Sequence, residues 1–64
     1  MNERTVLENL LIGKIIARVE LGPGSTVLVF TDGTRFVREK TFEGINQATL
    51  FGPRGETIAL AVLG

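Results

Sequence analysis

The side chains of this 64-residue chain that could do chemistry fall into two groups, scattered carboxylates and a basic–aromatic cluster. The acid–base candidates are Asp32, Glu3, Glu8, Glu20, Glu39, Glu43 and Glu56. Position accounts for four of them: a turn for Asp32, a helix cap for Glu8, strand faces for Glu20 and Glu39. Ser25 is the one serine, and no histidine or cysteine is present to activate it or to act in its place. Ser–His and Cys–His nucleophile pairs are excluded, as are disulfides and thiolate or imidazole metal sites. The expectation is a protein that is not an enzyme and carries no cofactor and no metal. The cluster consists of Arg35, Phe36, Arg38, Lys40 and Phe42. Aromatic stacking combined with cationic contacts to phosphate grips single-stranded nucleic acid. The competing account puts Phe36 in the core and lays the stem of Arg35 over Phe30. Strand alternation also separates Arg35 from Arg38. Seven basic and seven acidic residues give a net charge of zero, which argues against bulk attraction to nucleic acid or an anionic membrane.

The elements that must position these residues centre on one hairpin. Residues 26–31 and 34–39 are rich in β-branched and aromatic residues and flank Asp32-Gly33. A two-residue Asp-Gly loop predicts a type I′ turn. That turn sets Phe30 opposite Arg35, Val29 opposite Phe36 and Leu28 opposite Val37. One face then holds Val27, Val29 and Phe36 with Arg38; the other holds Leu28, Phe30 and Val37 with Arg35. Neither is polar, so the hairpin needs cover on both sides or a partner chain.

Residues 1–12 read as a short helix. Thr5 and Glu8 fit a capping box, with Asn2 as a competing cap. Val6, Leu7, Leu10 and Leu11 recur at helical spacing, and Gly13 suits a left-handed residue past the end. Lys14 to Leu21 reads as a strand with Ile15, Ala17, Val19 and Leu21 on one face; Ile16 breaks the polarity of the other. Gly22-Pro23-Gly24-Ser25 reads as a turn. It lacks the lysine and the strand-to-helix setting of a phosphate loop. Residues 40–44 read as a loop or single helical turn, and Ile45 to Phe51 as the fourth strand. Gly52-Pro53-Arg54-Gly55 suits a type I turn with a bulge. Glu56 to Leu63 is the last strand, with Ile58, Leu60 and Val62 against Ala59, Ala61 and Leu63.

The fold class is therefore mainly β, one domain over residues 1–64. A short N-terminal helix, placed to plug one end, precedes a five-stranded antiparallel small barrel. This architecture is similar to that of SH3-like and Sm-like proteins over most of the chain. The paired aspartate and asparagine that Sm-like RNA sites place after the third strand have no match in Phe42-Glu43-Gly44-Ile45-Asn46, so those RNA-binding residues are not carried over. A chain this short, with neither disulfide nor metal, gains its margin of stability by oligomerising. The expected function is a homo-oligomeric module for assembly or protein–protein interaction. Its interface is expected at Leu28, Phe30 and Val37 and along Ile58, Ala59, Leu60, Ala61, Val62 and Leu63. The alternative is an oligomeric single-stranded nucleic-acid (RNA) binder using Arg35, Phe36, Arg38, Lys40 and Phe42. No apolar run approaches the roughly 18 residues of a membrane span. The early apolar stretch is too short for a signal peptide, and the expected location is cytoplasmic, away from any membrane.

Overall fold

The computed structural model describes residues 3–64. Helix α1 spans Glu3–Leu11, followed by strands β1 (Ile16–Gly22), β2 (Ser25–Phe30), β3 (Arg35–Lys40), β4 (Asn46–Phe51) and β5 (Thr57–Val62). The strands form one antiparallel sheet in chain order. Thr5 lies inside α1, so it is not the cap; Asn2 falls outside the described residues. The helix ends as its sequence suggests. Gly13 has φ 84°, and the Lys14 N–H donates to the Leu11 carbonyl at 3.2 Å. β1 and β5 do not pair with each other, so the sheet is open and no barrel closes within the chain.

Three of the four hairpins use one device. In each, a glycine N–H donates to a carbonyl three residues back: Gly33 to Phe30 at 3.1 Å, Gly44 to Thr41 at 2.9 Å, Gly55 to Gly52 at 3.0 Å. Those glycines have φ of 88°, 83° and 83°. This is a type I turn followed by a left-handed glycine bulge, a three-residue loop. It was read correctly at Gly52–Gly55. The segment 40–44 proves to be a hairpin of the same kind, not a helical turn.

The central Asp32-Gly33 turn differs from its sequence reading. Among the described residues only glycines have positive φ, so Asp32 does not sit in a type I′ turn. The Asp32 carboxylate instead accepts from the Thr34 N–H at 2.9 Å and from the Thr34 hydroxyl. With three residues in the loop, the pairs are Val29–Arg35, Leu28–Phe36 and Val27–Val37. That one-residue slip turns β3 over relative to β2. Leu28, Phe30 and Phe36 now share one face, and Val27, Val29, Arg35 and Val37 the other.

The first face carries the core. Phe30, Ala48, Leu50 and Ala61 are buried with Leu7 of α1, and Leu11, Leu28, Phe36, Ala59 and Leu63 pack around them. β4 and β5 extend this face in register, with Ala48 opposite Ala61 and Leu50 opposite Ala59. The small alanines leave room for α1, which packs mainly on β5. β1 is irregular: Ile16 faces Phe30 and Arg18 faces Val29, so Ala17 is a bulge. The bulge resolves the misfit at Ile16. Ile16, Val19 and Leu21 share the α1 side, and Arg18 and Glu20 the opposite one.

Candidate interaction surface

The basic–aromatic cluster does not converge on one surface. Arg35 lies on the face away from α1, its guanidinium 5.3 Å from the centre of the Phe51 ring. Phe36 is half-buried against the core on the opposite face. Arg38 shares the side of Phe36 and lines a cleft of about 180 Å³ beside α1, together with Arg4 and Glu8. Lys40 ends β3, where its N–H donates to the Gly24 carbonyl at 3.1 Å. With Arg38 it borders a second, polar recess at Ser25, Thr26 and Asn46. Phe42 is fully exposed at the tip of the β3–β4 hairpin. Arg38 and Lys40 are thus neighbours, while Arg35, Phe36 and Phe42 point to three different places.

The apolar candidates divide as well. Phe30 is buried and Leu28 half-buried on the α1 side of the sheet, whereas Val37 lies on the other face, so the three do not form one patch. The last strand keeps the alternation read from its sequence. Ala59, Ala61 and Leu63 turn to the core, and Ala61 is 0% exposed. Leu60 and Val62 turn the other way, 43% and 57% exposed. Ile58 is the extra residue where the β4–β5 register shifts, and it too is exposed. The face away from α1 therefore bears Val27, Val29, Val37 and Phe51, half-buried, beside exposed Leu60 and Val62. No helix lies over it among the described residues.

The pattern on α1 was not apparent from the sequence. Only Leu7 and Leu11 of its apolar stripe reach the core, while Val6 and Leu10 are each 39% exposed. Helical spacing alone gives a stripe but not the fraction of it that the sheet covers.

One polar constellation is well organised. Lys14 pairs with Asp32, and its ammonium stands 5.5 Å from the centre of the Phe30 ring. The hydrogen bond from Lys14, reinforced by those from Thr34, holds the Asp32 carboxyl well below the usual carboxylate range. Together with the Thr31 N–H donating to the Ile15 carbonyl at 2.9 Å, this ties the start of β1 to the central turn. Its chemistry is that of a clamp: every polar atom has a structural partner. No group of three or more acidic, histidine or cysteine side chains that could hold a metal occurs among the described residues. No helix among them is long and apolar enough to cross a membrane. No protein-family model, no curated protein and no solved structure matches the chain.

Proposed function

We propose that this chain is a small assembly module, a β-sheet protein whose task is to bind copies of itself and a protein partner. One observation carries the reading: on the sheet face opposite α1, exposed Leu60 and Val62 and half-buried Val27, Val29, Val37 and Phe51 surround the buried Thr49, with Arg18, Glu20, Arg35 and Gln47 at the margins, and no helix lies over this face among the described residues. Contiguous exposed apolar surface marks interaction sites, whereas single exposed apolar residues do not. The barrel expected from the sequence enters here too. The sheet does not close within one chain, and a neighbouring subunit would supply a strand at an open edge.

Sedimentation velocity from low to high micromolar concentration, with native mass spectrometry, tests this reading. The expected result is a species at a multiple of 6.9 kDa. A monomer throughout would overturn it. The same sample addresses the nucleic-acid alternative, because a chain without tryptophan or tyrosine has little absorbance of its own at 260 nm. Retention of single-stranded RNA at low salt, with a salt slope reduced by roughly one for each of Arg38→Ala and Lys40→Ala, would put that alternative in its place.

A further inference from the structure

We propose that β5 pairs with the β5 of a second copy, antiparallel about a two-fold axis, joining two sheets of five strands into one continuous sheet. This rests on the assembly reading above and names its partner and contact.

Three observations converge on that edge. First, it is unguarded. From Thr57 to Val62 there is no charge and no proline, two of the devices by which natural proteins blunt an open edge, and the one register shift, at Ile58, lies before the Leu60–Val62 stretch that would pair. An uncharged strand can meet its own copy without repulsion.

Second, its hydrogen-bonding groups suit self-pairing. The Leu63 N–H donates to the Asn46 carbonyl at 2.7 Å. Alternation along an antiparallel ladder then directs the main-chain groups of Ala61 toward β4 and those of Leu60 and Val62 away from it. A two-fold centred on Ala61 sets Leu60 of each copy opposite Val62 of the other, so the free N–H and C=O groups of both strands satisfy one another. On the face away from α1, each Leu60 side chain comes beside a Val62.

Third, the helix packs on the same edge strand. α1 packs on β5, with Leu7 and Leu11 beneath it and Arg4 and Glu8 lining the cleft on its inner flank toward Phe36 and Arg38. At about 100° per residue, Val6 and Leu10 fall on the flank of α1 opposite Arg4 and Glu8, each 39% exposed. Their exposure is explained if a second α1 lies alongside. The two-fold that pairs the strands brings the helices together there. Pairing of one short strand alone covers less than the roughly 1,000 Å² that a stable interface requires, and the helix contact supplies additional area.

The test is sedimentation of the whole chain and two single variants, Leu60→Lys and Leu10→Lys, with Leu21→Lys on the opposite edge as control. All three positions are exposed, and circular dichroism of each variant checks that the fold is kept. Leu60→Lys and Leu10→Lys are expected to weaken dimerisation at least about tenfold, the equivalent of one buried interface contact. Leu21→Lys is expected to leave it unchanged. A mixture of Leu60→Cys and Val62→Cys chains is expected to oxidise to the mixed disulfide in preference to either homodimer, since the chain has no cysteine of its own. A wild-type assembly that tolerates both lysines and yields no mixed disulfide would overturn this pairing and leave the assembly reading standing. A wild-type monomer would overturn both.

Discussion

β1 and β5 are the two edges of one sheet, and they are built in opposite ways. β1 carries Arg18 and Glu20 side by side, 3.7 Å apart and exposed, with a bulge at Ala17 between them and the strand's start. Its entry is held by the Lys14–Asp32 pair and the Thr31–Ile15 hydrogen bond. β5 has no charge along its length, and the only irregularity is at Ile58, near its beginning. Charges and bulges stop a strand from recruiting another. By these devices the β1 edge is guarded along its middle, whereas Leu60 to Val62 of β5 carries none of them; the proposed pairing uses that difference.

The largest effect expected tests the two sides of β5. Ala61→Lys places an ammonium in a position with no exposure, against Ala48 in the core. The expected cost is about 3–5 kcal/mol, enough to unfold a domain of this size. The sequence alone assigned Ala61 to an interface, so the same substitution would then have broken only the assembly. The register places it inside the subunit. A wild-type melting temperature for Ala61→Lys would contradict that placement.

Next comes the central turn, which decides which side of β3 joins the core. Gly33 has φ +88°, and a Cβ added there would stand 3.1 Å from the Pro53 Cβ. Gly33→Val is expected to destabilise by about 1–2 kcal/mol, measured by urea unfolding. An unchanged midpoint would refute the left-handed bulge.

Removing the guards of β1 is a subtler change. Arg18→Val combined with Glu20→Val should cost the monomer about 0.5 kcal/mol or less, because the pair is exposed. It should nevertheless produce concentration-dependent light scattering as the second edge becomes sticky. Clear solutions equal to wild type would mean that those charges do not protect the edge.

The smallest effect is on acid stability. Asp32 titrates at a lower pH in the folded chain than in the unfolded one. Its stabilisation is therefore complete above the ordinary aspartate value of 3.8 and is lost as the pH falls below it. Asp32→Asn should flatten the acid limb of a melting-temperature profile in that range and leave the neutral-pH assembly intact. A profile identical to wild type would show that the clamp does not contribute.

The strand pattern was legible because alternation survives in β4 and β5, and because each turn contains its glycine. What misled was the number of residues in a loop. Asp32-Gly33 fits a two-residue or a three-residue connection equally well as a dipeptide. The choice is made by packing, since only the longer loop puts Leu28, Phe30 and Phe36 together over Ala48 and Leu50. The bulge at Ala17 was hidden for the same reason: an extra residue leaves no mark on composition. Sheet closure was not legible at all, because it depends on how far a twisted sheet curls. The exposure of Val6 and Leu10 required knowing that α1 packs mainly on the edge strand β5.

The main-chain N–H groups of Leu60 and Val62 test the account most directly. In a lone chain they face away from β4 and should exchange with solvent deuterium quickly, like other open-edge amides. Residue-resolved amide exchange at high and low protein concentration reads them individually. The account expects both to be protected about tenfold or more in the assembled protein and to lose that protection on dilution, while Ala61 stays protected in both. Fast exchange at Leu60 and Val62 in a fully assembled sample would contradict pairing through β5.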